Sequence, residues 1–291
     1  MASQVYELIK KSVKELILTV QTTLPEDVRK ILESLRSRLS DKCRILIDCM
    51  LKNCELAKTE AKPICQDTGT PLFYLRIGTG FQHVVNWCRL LTEAYAEAVQ
   101  EIPLRPNAVD PVTNRNTGTG VGLGIPVIDV EYVDTDHVEI WYIAKGGGSE
   151  LPCRALCTIP EKGWEKLPKI VEKLVEKYGR YICPPAIVGI GIGATLDSAV
   201  KLAKKALFLR KIGERNSIEK IAKLEEYLVD LLNRKNIGIQ GLGEGPTILD
   251  VHIEVGCRHP ATFCIAVLFC CWVVRRGLLR IYNDLRKEIV L

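Results

Sequence analysis

Cys65-Gln66-Asp67-Thr68-Gly69-Thr70 puts a thiol, an amide and a carboxylate on three consecutive residues ahead of a glycine. In a loop, such a run can hold a thiolate open to a ligand, with an acid two residues away to orient a proton donor or acceptor. Cys183-Pro184-Pro185 runs on into AIVGIGIGAT. Its prolines stiffen the backbone, and amides of the nearby glycines can face a cluster sulfide or an anion. Cys270-Cys271-Trp272 stands just ahead of Arg275 and Arg276. Each segment has a bland alternative: a turn around a buried thiol, a stiff loop entering a buried strand, and an apolar core strand. Together, three separated cysteines beside glycine, proline or charge suggest a metal cluster with three protein ligands. A cubane 4Fe–4S cluster normally takes four cysteines. With three, one iron keeps an open position and acts as a Lewis acid on a substrate hydroxyl, which suits dehydration rather than electron transfer.

The other cysteines carry less. There are twelve in all. The opening MASQVYELIKK has charges where an export signal needs its apolar run, so a cytoplasmic location and no disulfide framework are expected. No pair of CxxC motifs supports a zinc ribbon. Cys43, Cys49, Cys88 and Cys264 sit in apolar company and read as inert core thiols.

The elements that must position these segments follow from periodicity. Residues 5–60 read as three helices, the first with Leu8, Val13, Leu16, Ile17 and Val20 on one face and the third apolar at Ile45, Leu46, Cys49, Met50 and Leu51. A strand follows CQDTGT, then an amphipathic helix over 84–100, a Gly/Pro/Asn-rich loop over 103–126, and strands at 127–132 and 137–143. KGGGSE is a glycine turn; strands are expected within 182–195, at ILDVHIEV and near 265–269, and helices at 197–207 and 218–232. The fold class is mixed α/β: a helical N-terminal segment plus a mixed β-sheet flanked by helices. One compact unit over 1–291 is expected, with 1–60 as a helical sub-bundle.

CQDTGT, RPN at 105–107, KGGGSE at 145–150, CPPAIVGIGIGAT, DVHIEVGCRHPAT and CCWVVRR occur in this order. Together they resemble the class I (iron–sulfur) fumarase and L(+)-tartrate dehydratase family, in its N-terminal part or separate alpha subunit. The resemblance implies cluster ligands at Cys65, Cys183 and Cys271. It implies substrate contacts at Gln66, Asp67, Arg105 and Gly148, and an active-site histidine at His259. The chemistry agrees: Arg105 can grip a carboxylate through two parallel hydrogen bonds, Pro106 biases it toward an extended backbone, and Gly148 lets backbone approach a ligand closely. The ordinary alternative for Arg105 is a surface salt bridge, and His259 could equally be structural. The sequence departs from the family pattern at Leu151, at Cys270, where Gln is usual, and at the 116–120 loop NTGTG.

What the resemblance implies is reversible hydration of fumarate to L-malate by a 4Fe–4S alpha subunit; L(+)-tartrate dehydration is the alternative. The family's remaining catalytic groups lie in a C-terminal domain, so a separate beta subunit is expected as partner, with self-association to a dimer or an alpha2beta2 assembly. Composition is compatible: 47% hydrophobic residues support a core, 6% aromatics give few stacking platforms, and a net charge of +5 with interspersed signs does not call for nucleic acid. The most apolar stretch, 261–274, is too short to span a membrane. A dinucleotide-binding turn at Gly189, Gly191 and Gly193 is the rival from another class. It has GxGxG rather than GxGxxG spacing and no evident βαβ unit around it, so an NAD-dependent oxidoreductase ranks low. A non-catalytic scaffold subunit ranks above it.

Overall fold

The computed structural model describes residues 2–291. The expected mixed α/β class holds. Within the chain two compact units can be described: unit 1 comprises 1–26, 50–146 and 275–291, and unit 2 comprises 27–49 and 147–274.

In unit 1, helix α1 (Ala2–Thr22) buries Ile9, Val13, Leu16, Ile17 and Val20, which follow the i, i+4, i+7, i+8 spacing of one face. Leu8, placed on that face from the sequence, is exposed, because Ile9 fits the stripe better. Helix α4 (Trp87–Glu101) starts at Asn86, whose side chain accepts from the Arg89 amide, and contributes Leu90, Leu91, Ala94, Tyr95 and Ala98 to the same core. Both lie on a five-stranded sheet of order β2-β1-β3-β8-β9: β1 (Thr70–Gly78), β2 (Val127–Val133), β3 (Val138–Lys145), β8 (Arg276–Ile281) and β9 (Lys287–Val290). Only β1 and β2 pair in parallel, which requires the crossover made by α4 and the loop after it. The basic C-terminal segment, given no structure from the sequence, is the β8–β9 hairpin.

In unit 2, helix α2 (Glu26–Leu35) and the first half of α3 (Asp41–Thr59) precede the remaining elements. Along α3 the buried residues are Cys43, Ile47, Met50 and Ala57, whereas Ile45 is exposed, so its inward face is rotated from the expected one. The sheet has order β4-β7-β5-β6, with β4 (Arg154–Thr158), β5 (Ala186–Gly193), β6 (Ile248–Val255) and β7 (Phe263–Cys270). Strands β5 and β7 are buried throughout, as strands covered on both faces must be. Helices α5 (Gly163–Tyr178) and α7 (Glu219–Asn233) share one core cluster with the sheet; α6 (Leu196–Leu209) packs on β5 separately from that cluster. Helix α5 and strand β4 were not read from the sequence.

Strands β5 and β6 are parallel neighbours joined through α6 and α7, so a βαβ unit is present where none was evident. The glycines of β5 serve its packing. A Cβ on Gly191 would lie 1.9 Å from the Ala199 carbonyl oxygen, and one on Gly189 would lie 2.5 Å from that of Ala203. Side chains there would push α6 off the strand, which accounts for the GxGxG spacing without a dinucleotide.

Three cysteine assignments are corrected. Cys264 is not an inert core thiol: it forms a disulfide with Cys157, its direct cross-strand neighbour on β4 and β7. Cys49 and Cys88 are exposed on helices and belong to no core. Strand order, which the sequence does not display, is what makes residues 107 positions apart adjacent. A cross-link closing so long a loop is expected to contribute about 2–4 kcal/mol. Cys157→Ser, or the parent chain under reductant, should lower the denaturant midpoint accordingly; an unchanged midpoint would show that the bridge does not stabilise the fold.

Candidate active site

Unit 1 gathers four of the predicted residues. The N-terminal end of β1, the C-terminal end of β3 and the N-terminal end of β8 lie together, because Thr70 pairs with Lys145 and Ile143 with Arg276. The CQDTGT loop enters β1 there. Asp67 Oδ1 accepts from the Gly69 amide at 3.0 Å, an Asx turn that shapes the loop. Thr68 is buried, and its hydroxyl accepts from the Arg105 amide at 3.1 Å, which ties the RPN segment to CQDTGT. The Asn107 amide reaches Gly69 O at 3.2 Å and Asp67 Oδ1 at 3.4 Å. Cys65, Gln66, Asp67 and Arg105 are thus held in one hydrogen-bonded loop pair. Arg105 is exposed, and its guanidinium makes no ion pair or hydrogen bond among the described residues. The salt bridge that would be its ordinary reason for being there is not made.

Unit 2 gathers three more. Strand β5 starts after Cys183-Pro184-Pro185, and the antiparallel pairing of Ile187 with Cys270 brings the end of β7, and so Cys271, to the start of β5. Arg154 pairs with Val267, so the KGGGSE turn ahead of β4 lies at that same end. The nearest neighbour of a Cβ on Gly148 would be the Tyr181 carbonyl oxygen at 3.9 Å, two residues before Cys183. Nothing in the protein forces a glycine at 148, which leaves its bare backbone open to a ligand. Cys183 has φ of +50°, a left-handed conformation that non-glycine residues enter at a cost of roughly 1–3 kcal/mol.

His259 is not brought to this end. It lies in the exposed loop between β6 and β7, where Gly256 bonds to the last residues of β5, and its Nδ1 accepts from the Ala261 amide at 3.1 Å. The eight-residue strand β7 separates that loop from Cys271, a rise of roughly 27 Å. A second buried charged group in unit 2 is structural: Asp250 meets His252 at 3.1 Å and Arg215 at 2.8 Å, and Glu225 meets Arg210 at 2.6 Å, pinning the α6–α7 connection. Burial is the largest single influence and would raise the Asp250 carboxyl, but the hydrogen bond and attraction to His252, the Gly213 amide and the Arg215 charge together hold it below the ordinary range.

The thiols fit an iron–sulfur cluster in chemistry and exposure. Cys65 and Cys271 are half-buried and Cys183 is exposed, none of them in the disulfide, while Cys270 is buried within β7. Of the adjacent pair, Cys271 is the more exposed. Among the described residues no three His, Cys, Asp or Glu side chains stand converged as a metal site. Sequence reasoning quoted Thr68, Asn107 and Arg275 in motifs but gave them no part; their partners lie 37 to 208 positions away.

These features define a mixed α/β protein whose sheet-end loops present cysteines, a carboxylate and an uncommitted arginine. The chain belongs to the fumarate hydratase (Fumerase) family, whose model matches residues 10–280. It is similar to the Methanocaldococcus jannaschii protein named "Putative L(+)-tartrate dehydratase subunit alpha", with 39% identity over 95% of this chain and 98% of that one. It is also similar to the L(+)-tartrate dehydratase subunit alpha of Escherichia coli UTI89, 37% identical, and of Shigella boydii, 36% identical, each over 92% of this chain and 89% of the relative. No helix among the described residues is long and apolar enough to cross a membrane.

Proposed function

We propose that the chain is the alpha subunit of an iron–sulfur hydro-lyase acting on a four-carbon dicarboxylate, and that the reaction is reversible hydration of fumarate to L-malate. The observation that carries this reading is the pairing, in one loop system of unit 1, of Cys65 and Asp67 with an exposed Arg105 whose guanidinium has no partner among the described residues. Cys65, Cys183 and Cys271 would hold the cluster. When bound, a cluster with three cysteine ligands supplies a Lewis acid that weakens the carbon–oxygen bond of a substrate hydroxyl. The chain's own residues bind and orient. Arg105 holds a substrate carboxylate through two hydrogen bonds and offsets the charge that develops next to the carbon losing its proton. Asp67, fixed by Gly69 and Asn107, orients the proton exchanged at the departing hydroxyl. Gln66, exposed beside them, and the open backbone at Gly148 provide further contacts. The base at carbon comes from a separate beta subunit, in keeping with the alpha-subunit names of the relatives.

Dehydration of L(+)-tartrate is the second reading, favoured by the names the relatives carry. The two substrates differ by one hydroxyl, so an anaerobic assay of the complete enzyme on L-malate and on L(+)-tartrate separates them; turnover of neither would overturn the proposal.

Arg105→Lys tests the clamp. An ammonium keeps the charge but cannot reproduce the planar fork. Losing one charge-assisted hydrogen bond is worth about 1.5–3 kcal/mol, so kcat/KM should fall roughly ten- to a hundredfold with iron content unchanged. Parental activity in Arg105→Lys would place the clamp elsewhere.

A further inference from the structure

Arg275, the residue before β8, is 1% exposed, and a buried guanidinium is costly unless it is bound. It makes no ion pair among the described residues. One terminal nitrogen, Nη1, donates to the backbone carbonyl of Asp67, and its own carbonyl accepts from the Ala144 amide at 3.0 Å. Its Nε is buried with no hydrogen-bond partner. Its other terminal nitrogen, Nη2, lies 3.4 Å from where a Cβ on Gly146 would stand, and Asp67 Oδ2 lies 3.2 Å from that same point. The missing side chain at Gly146 is what lets the guanidinium and the Asp67 carboxylate share this space. All these residues are in unit 1.

From this arrangement we infer that Arg275 is a positioning residue, which holds the 65–69 loop from beneath through the Asp67 carbonyl and so sets the direction of the Asp67 carboxylate. The loop has other ties: Thr68 to the Arg105 amide and Asn107 to Gly69 reach it from the RPN side, and the Gln21 side-chain amide of α1 donates to the Thr68 carbonyl at 2.9 Å. Arg275 is a charged donor to the Asp67 carbonyl from the start of β8, and such a bond is among the stronger single hydrogen bonds available. Its effect on turnover rests on the role proposed above for Asp67; the ordering of the loop does not.

Hydrogen–deuterium exchange on the full chain reads that ordering without activity. In Arg275→Lys the amides of Gly69 and Arg105 should exchange roughly tenfold faster, the size expected for losing one such bond, while those of Leu72–Ile77 and Val138–Ile143 keep their parental rates. In the complete enzyme, kcat should fall by roughly tenfold or more with KM little changed, because an oriented group is lost and not a binding contact. Gly146→Ala leaves every charge in place and crowds the same carboxylate. It should speed exchange at the same two amides, and it carries the test if Arg275→Lys does not fold. Unchanged exchange at Gly69 and Arg105 in the folded variant overturns the inference. So does a rise spread evenly over β1, β3 and β8, which would make Arg275 a support of the sheet. Loop ordering confirmed alongside a parent enzyme that turns over no dicarboxylate would leave this inference standing and remove the proposed function.

Discussion

Cys183→Ser, purified without air, should carry little iron and lack the broad visible absorbance of the parent. A hydroxyl is a far poorer ligand to a soft iron–sulfur core than a thiolate, so one such change removes a third of the protein's hold on the cluster. The backbone strengthens the expectation. Cys183 sits at φ +50° just before two prolines, a conformation that persists only where the surroundings demand it. Cys65→Ser and Cys271→Ser should behave alike. Cys88→Ser, on the exposed face of α4, and Cys153→Ser, whose thiol donates to the Ser149 carbonyl, should keep full iron. Cys270→Ser settles the choice within the adjacent pair: buried within β7, it should retain the cluster. Full iron loading in Cys183→Ser would sink the ligand assignment, and loss of iron in Cys270→Ser with retention in Cys271→Ser would move the third ligand by one residue.

Without a partner chain, the cluster-loaded protein should turn over little or no L-malate, fumarate or L(+)-tartrate. The groups identified in the chain bind a carboxylate and orient a proton, and no residue has been assigned to remove the proton from carbon. Removing a single preorganised group from a hydrolytic site costs on the order of a hundredfold or more. Addition of the beta subunit should therefore raise kcat by at least about that factor, with the iron content of this chain unchanged. Both chains must be assayed anaerobically, so that cluster damage is not mistaken for a missing partner. High turnover by the isolated chain would refute the divided site and require a base within it.

Much of this was legible from local signals. The helices over 2–22, 41–59, 196–209 and 219–233 lie within a few residues of the expected ranges, because their apolar stripes and caps are properties of a few neighbouring residues. Misplacements arose where the stripe was ambiguous, as with Leu8 against Ile9 and Ile45 against Cys43 and Ile47. Strand β4 is a short edge strand with little alternation, and β8 and β9 carry basic residues among their apolar ones, so none of the three shows a clear strand pattern in sequence.

The chemistry on offer is written in the chain: thiols at 65, 183 and 271, a carboxylate at 67, an arginine fixed by a following proline at 105, and the turns that expose them. Those are matters of residue type and local backbone preference, which nearby chain alone can settle. Which of them share a sheet end is set by strand pairing. Strand order and register place Gly148, Cys183 and Cys271 together and send His259 to the opposite end. They join Cys157 to Cys264, seat α6 on the glycines of β5, and bring Arg275 under a carbonyl 208 positions away. Such contacts depend on which strands pair and in what direction, and spacing along the chain carries no record of that choice.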